Sequence, residues 1–312
     1  MVRISLVIPV YNAEETLPAL LQSISKQMLP PHHFEVIVVD DGSTDSSAEL
    51  VRACPNVLLL SQENCGPGAA RNLGTRHAQG DIIVYADADC ILPPSFLAEH
   101  LRLHEMYEEI DGVHGGVAPA NALRYGSCML ADHLCNWFWD HYASPEHEAE
   151  YMPSANMSIK RRVLEAGVCW SEKRITGEDV DLSLQVRTRG MQIRFFPKPY
   201  IYHVDRASLR QFLRHQYNWG FHAPFVRGRQ KEAAYSFLFS ANLWKAWFCC
   251  PLIIIGYTAL VVRGWWCHRP LGLLSVLHLI VLGKVWYARG VLHGTSALLS
   301  GSEGIIVDKR HE

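Results

Sequence analysis

Little in this 312-residue chain is arranged for disulfides, nucleic acid or export. Its nine cysteines include no Cys-x-x-Cys and no paired spacing, which favours a reducing compartment over a disulfide framework. Lys and Arg number 29 against 31 Asp and Glu, a net charge of −2, so a basic footprint for nucleic acid is missing. The apolar N-terminus is short and holds Pro9, unlike a signal peptide. No internal repeat or low-complexity tract is visible. The 16 histidines are scattered. His100 and His104 lie four apart on a helix expected over 94–109; without further ligands nearby, both are expected at the surface.

What the chain does have is carboxylates where strands end. The run Asp81-Ile82-Ile83-Val84-Tyr85-Ala86 reads as a short buried strand, and Asp87-Ala88-Asp89 follows it. Open parallel sheets bind ligands at the carboxyl ends of their strands. Two hard oxygen donors there suit Mg²⁺ or Mn²⁺, whose remaining ligands are usually substrate phosphates. By itself Asp-x-Asp is also an ordinary solvated turn. An earlier strand, Phe34-Glu35-Val36-Ile37-Val38-Val39, ends the same way, in Asp40-Asp41-Gly42-Ser43-Thr44-Asp45. A strand-to-helix turn explains the Gly and the hydroxyls. It leaves the adjacent like charges of Asp40 and Asp41 unexplained, and hydrogen bonding to a base or ribose would give them a use.

Between these strands lies Gly66-Pro67-Gly68-Ala69-Ala70-Arg71, a tight loop opening a small-residue helix near Pro67. Arg71 falls about one turn in, as an idle exposed side chain or as a guanidinium reaching a phosphate. A later helix opens with Gly177-Glu178-Asp179-Val180-Asp181. Its acids match the helix macrodipole, and they equally suit a general base beside an acceptor hydroxyl.

Taken in order, IPVYN (8–12), VDDGSTD (39–45), GPGAARNLG (66–74), DAD (87–89) and GEDVDLSLQVRTRG (177–190) resemble a family 2 inverting glycosyltransferase with a GT-A fold. The resemblance covers residues 2–220. It implies an α/β domain with a Rossmann-like, mostly parallel sheet flanked by helices, a nucleotide-sugar donor, a divalent cation (Mg or Mn) and inversion at the anomeric carbon. It assigns Asp40 and Asp41 to the base and ribose, and Arg71 to the neighbourhood of the nucleotide. It assigns Asp87 and Asp89 to the metal and diphosphate, Asp179 to the base, and Glu178 to a place near the acceptor. Gln211-Phe212-Leu213-Arg214-His215 matches the Gln-x-x-Arg-Trp motif of membrane-bound synthases except for His215, which argues against a processive enzyme. By that match Arg214 contacts the diphosphate. His203 resembles an extra metal ligand found in some relatives, and Asn156 falls on the segment resembling the acceptor-side strand.

The composition changes near Phe221. After the basic stretch Arg227, Arg229 and Lys231, residues 246–262 form an uncharged run that reaches the lower limit of roughly 17 residues for a spanning helix. Residues 271–288 form a second run, where Lys284 is expected to snorkel near its end. Trp244, Trp247, Trp265, Trp266 and Trp286 flank the two runs as an interfacial belt would. A buried hairpin of a soluble domain, a spanning hairpin and one that enters the bilayer without crossing are all compatible. Arg263 and Arg269 in the connection favour the last. A helix with Trp137, Phe138 and Trp139 is expected over 123–141.

The expected layout is a catalytic domain over 1–225, a basic and aromatic linker over 226–240, a membrane hairpin over 241–290 and a tail over 291–312. The expected function is sugar transfer to a lipid-linked or glycan acceptor, with the catalytic domain facing the cytoplasm. A polyprenyl-phosphate glycosyltransferase, a nucleotidyltransferase and a non-catalytic sugar-nucleotide-binding protein remain as alternatives.

Overall fold

A computed structural model describes residues 2–120, 126–172, 176–226, 236–239 and 242–301. Its elements begin with β1 (Ile4–Val10), α1 (Leu17–Ile24), β2 (Phe34–Asp40), α2 (Ser47–Arg52), β3 (Val57–Ser61), α3 (Pro67–His77) and β4 (Ile82–Ala86). Next come β5 (Cys90–Ile91), α4 (Phe96–Met106), β6 (Ile110–Pro119), α5 (Ser127–Asn136), β7 (His147–Glu148), β8 (Asn156–Lys160) and α6 (Arg161–Glu165). The remainder is α7 (Glu178–Thr188), β9 (Gln192–His203), α8 (Leu209–Val226), α9 (Leu243–Trp265) and α10 (Pro270–Leu299). The basic stretch at 227–231 and residues 302–312 lie outside the described residues.

The chain forms two units. The first comprises Met1–Ala120 and Asp140–Val204 and holds the whole sheet, in the order β3-β2-β1-β4-β8-β6-β9-β5, with β7 on β9. β1 pairs in parallel with β2 and β4, and β2 with β3. β8 is antiparallel to both β4 and β6, so the sheet is mixed. The apolar runs at Ile4–Val10 and Ile82–Ala86 are buried almost throughout, as strands covered on both faces must be. The register decides where chemistry sits. Val10 pairs with Asp40, Ala86 with Asn156 and Pro119 with His203, which places Asp40, Asn156, His203 and the turn after β4 on one edge of the sheet. Gly68 lets α3 approach the segment before α7, because a Cβ there would collide with the Ser171 carbonyl oxygen.

The second unit comprises Asn121–Trp139 and Asp205–Glu312, so α8 and the 121–139 segment group with the apolar helices rather than with the sheet. Its core joins Leu134, Phe212, Phe239, Ile253, Val261, Trp265, Leu273 and Ile280. α10 lies directly against α8: a Cβ on Gly290 would meet the Tyr217 oxygen at 2.1 Å, and one on Gly294 the Phe221 oxygen at 2.0 Å. This Gly-x-x-x-Gly pair lets two backbones touch, as small residues do between packed membrane helices. α10 continues to Leu299, past the boundary expected at 290.

Two expectations for the apolar runs are corrected. Lys284 does not snorkel: it sits mid-helix, 2% exposed, and donates to Gln216 Oε1 at 2.9 Å. Trp265 is no belt residue: it is fully buried and its indole donates to the Leu134 carbonyl at 3.1 Å. The expected 123–141 helix is shorter, with α5 ending at Asn136, and residues 123–125 lie outside the described residues.

Candidate active site

The Asp-x-Asp turn follows β4 directly, and its two carboxylates point to different partners. Asp87 Oδ1 accepts from Arg71 Nη2 at 2.7 Å. Asp89 Oδ2 lies 3.4 Å from His203 Nε2. Pairing of Cys90 with His203 and a bond from the Val204 amide to the Asp89 carbonyl bring these two side chains together. Among the described residues no group of three or more His, Cys, Asp and Glu side chains converges. A carboxylate beside an imidazole, with a second carboxylate two residues back, nevertheless fits a hard cation that takes its remaining ligands from phosphates and water.

Arg71 is buried at the centre of the site. Its guanidinium donates to Asp87, to Glu178 Oε1 at 2.8 Å and to Ser154 Oγ at 2.8 Å, and lies 4.7 Å from the centroid of the Trp170 ring. Its interactions here are with protein carboxylates, so it ties the turn after β4 to the start of α7. Gly177, at φ 82°, supplies the left-handed residue from which α7 departs.

The adjacent acids of α7 face different surroundings. Glu178 is buried against Arg71, whereas Asp179 Oδ2 accepts from the Tyr151 hydroxyl at 2.5 Å and Oδ1 from the Val180 amide at 2.8 Å. Burial pushes the Glu178 carboxyl up to about 7; Arg71 opposes the rise and Asp179 adds to it. Burial also raises Asp179, against the Tyr151 hydroxyl and Arg71. Both carboxyls are raised, so it is geometry that separates their surroundings: Arg71 is bonded to Glu178, whereas hydroxyl and amide donors are bonded to Asp179.

Asp40 Oδ1 accepts from the Ser43 amide at 3.1 Å. Asp41 is turned toward its own chain: Gln62 Nε2, the Cys65 amide and the Gly66 amide donate to it at 2.7, 3.0 and 2.8 Å. It therefore fixes the loop that opens α3. Arg214 belongs to α8 in the second unit. There its neighbour His215, which replaces the tryptophan of the motif, bonds the buried Asp132 at 3.0 Å.

His100 and His104 are corrected: they are buried, because the inner face of α4 packs on the sheet, where Ser158 of β8 gives them a polar partner. Asn156 Nδ2 donates to the Gly116 and Pro199 carbonyls, so its Oδ1 accepts from His100 Nε2 at 3.2 Å. Burial keeps both rings neutral, so His100 Nδ1 accepts from the Ser158 hydroxyl, which accepts in turn from His104 Nε2. Sequence reasoning missed Tyr151, Ser154 and Trp170 as site residues. Ser154 opens the segment resembling the acceptor-side strand, where only Asn156 was singled out; Tyr151 and Trp170 belong to no motif, and only the fold carries them to Asp179 and Arg71.

Residues 82–288, more than half the chain, match the Glycosyl transferase family group 2 model, and residues 5–124 match Glycosyl transferase family 2. The chain belongs to the family 2 glycosyltransferases. It is 37% identical over 136 residues to the poly(ribitol-phosphate) beta-N-acetylglucosaminyltransferase TarS of Staphylococcus aureus, covering 40% of this chain and 24% of TarS. It is 40% identical over 124 residues to the undecaprenyl-phosphate 4-deoxy-4-formamido-L-arabinose transferase of Yersinia enterocolitica, covering 37% of this chain and 36% of that enzyme. The chain thus matches well under half the length of either relative. Among solved structures, the mannosyltransferase PcManGT of Pyrobaculum calidifontis, in complex with GDP-Man and Mn²⁺, superposes with a TM-score of 0.62 at 20% identity over 93% of this chain and 87% of that one. At that identity the likeness speaks for the fold, which is GT-A.

Proposed function

We propose that this glycosyltransferase moves a sugar, with inversion, from a nucleoside-diphosphate donor to a hydroxyl of a lipid-linked or glycan acceptor at a membrane. One observation carries the assignment of roles. Of the two acids opening α7, Glu178 is tied to a guanidinium while Asp179 already accepts a hydroxyl hydrogen bond. Asp179 is then the base: it takes the acceptor proton as the new bond to the anomeric carbon forms and the bond to the diphosphate breaks. Glu178 stays beside the acceptor and holds Arg71. Asp40 lines the nucleotide end, Asp41 holds the loop beside it, and Arg71 orients Asp87 beside the diphosphate. Asp89 and His203, with Asp87, would hold a Mg²⁺ or Mn²⁺ ion. When bound, that cation offsets the charge gathering on the departing diphosphate.

The membrane part of this reading is supported by the second unit. α9 and α10 are 23 and 30 residues long, with mean hydropathies of 1.8 and 1.7 over their most apolar stretches, enough to cross a bilayer by length and composition. Trp247, Phe248, Leu252 and Ile255 are exposed along α9, and an apolar surface of that kind marks an interaction with lipid or protein. A sheet unit facing the cytoplasm would meet nucleotide sugars and keep its cysteines as thiols. The undecaprenyl-phosphate relative favours a second reading, in which the acceptor is a polyprenyl phosphate.

A donor screen on the full chain in membranes, reading nucleoside diphosphate release with and without polyprenyl phosphate, tests both. Release that requires one nucleotide sugar, a divalent cation and an acceptor is the expected result. Release that rises only with polyprenyl phosphate selects the second reading. Turnover unaffected by excess EDTA overturns the metal assignment.

A further inference from the structure

The acid that faces the acceptor is already bonded to a side chain outside every motif of the chain. Tyr151 lies in the segment that runs into β8, is half-buried, and places its hydroxyl 2.5 Å from Asp179 Oδ2. The segment is tied to α7 at further points. The Met152 amide donates to Ser183 Oγ at 3.0 Å, Ser183 Oγ donates to the Asp179 carbonyl at 2.7 Å, and the Ser154 amide approaches Asp179 Oδ2 at 3.5 Å. Ser154 Oγ in turn accepts from Arg71. Residues 151–154 therefore act as a strap across the first turn of α7, and Tyr151 is its one side chain bonded to the Asp179 carboxylate.

We propose that Tyr151 is a positioning residue for the base: its hydroxyl holds Asp179 ionised and turned toward the place that the acceptor hydroxyl must occupy. The inference rests on Asp179 being the base. A phenol donates to a carboxylate only while that carboxylate is charged or its facing oxygen is unprotonated, so the bond favours the ionised form. Arg71 acts in the same direction, while Glu178, the adjoining like charge, and burial act against it. The phenol also reserves one lone pair of Oδ2. The acceptor hydroxyl takes a remaining lone pair of the carboxylate while Tyr151 keeps its own. Acceptor chemistry and base readiness are thereby linked through one hydroxyl group.

Tyr151→Phe removes only that hydroxyl, and the test has two arms on the full chain in detergent. In the first, kcat is followed against pH. A hydrogen bond to a charged group corresponds to a shift of roughly one to two pH units, so the acidic limb should move up by that amount while the donor KM stays unchanged. In the second, ¹³C NMR of labelled aspartate, assigned by its loss in Asp179→Asn, follows the Asp179 carboxyl directly; its pKa should rise by the same amount in Tyr151→Phe. An unmoved carboxyl titration overturns the inference, as does an acidic limb that stays in place while kcat alone falls. If neither protein turns over any donor, the glycosyltransferase assignment of this site fails, yet the NMR arm still decides the role of Tyr151.

Discussion

Arg71 and Glu178 stand 107 residues apart in the chain and share a 2.8 Å hydrogen bond in the fold. With Asp87 and Ser154 on the same guanidinium, Arg71 joins α3, the Asp-x-Asp turn, the strap before β8 and the start of α7. Removing the cation leaves a buried carboxylate at Glu178 and a half-buried one at Asp87 without their partner. Breaking such a pair from one side costs about 3–5 kcal/mol. Arg71→Leu should therefore lower the unfolding free energy of the full chain by that order, and Arg71→Leu with Glu178→Gln should recover part of it. Equal stability of Arg71→Leu and the parent in denaturant titration would show that the network is not what holds these elements together.

Asp179→Asn keeps the shape of the side chain and removes its basicity. The rate of transfer should fall roughly 10²- to 10⁴-fold, the contribution of one general base. Donor affinity should hardly change, because the group acts on the acceptor. A large loss of donor binding with a normal single-turnover rate would instead place Asp179 at the donor.

Asp89 and His203 face each other at 3.4 Å, and the metal assignment rests on that pair. Even outer-shell partners of metal ligands are worth 10- to 100-fold in affinity. His203→Ala should then weaken Mn²⁺ activation by at least about that factor, and Asp89→Ala by more. Titration of activity with Mn²⁺ after chelation gives both numbers. Unchanged half-saturation in His203→Ala would leave it a purely structural partner of Asp89.

The legible parts of this molecule were the ones written in local pattern. β2 and β4 are apolar runs, and the acids that follow them announce the edge where the site forms. The start of α7 was legible for the same reason. Contacts made across the fold left no such trace. Nothing near Tyr151 or Trp170 in the sequence marks them as neighbours of Asp179 and Arg71. His100 and His104 read as surface residues because helical spacing gives the face of a residue and not which face is covered. Lys284 was misplaced because the apolar run at 271–288 is shorter than the helix containing it; α10 reaches Leu299 through residues that look polar only in isolation.

The buried histidines give the sheet unit an acid weakness. Burial lowers His100, His104 and His114 from 6.5 to about 3. Between those values the unfolded chain binds protons that the folded one refuses, so stability falls as pH drops below 6.5 and the loss runs on toward 3. Each group contributes a slope of up to about 1.4 kcal/mol per pH unit. At pH 5 each ring removes about 2 kcal/mol, and the carboxyls of Glu178 and Asp140, pushed up to about 7 and about 6, bind protons in the folded state in the same window and offset part of that loss. His104→Gln, whose amide can still donate to Ser158, should reduce the slope by about one proton. An acid slope that is the same in His104→Gln as in the parent would contradict the neutral, buried state of that ring.

Membrane attachment predicts how the protein fractionates. Truncating the apolar helices is a poor test, because α10 supplies Leu273, Val276 and Ile280 to the core shared with α5 and α8, and its loss would unfold that unit. Changing the exposed face is cleaner. Trp247, Phe248 and Ile255 are 61%, 68% and 68% exposed and contribute nothing to that core. The parent chain should sediment with membranes and remain there in high salt, since burial of apolar surface is not screened as ionic attachment is. Replacing the three with serine should leave the fold intact and weaken the attachment by several kcal/mol, at about 1.5–3 kcal/mol for each large apolar side chain that is no longer buried in lipid. A parent chain that is soluble and monodisperse without detergent would assign α9 and α10 to a globular unit. The lipid-linked acceptor would then lose its main physical support.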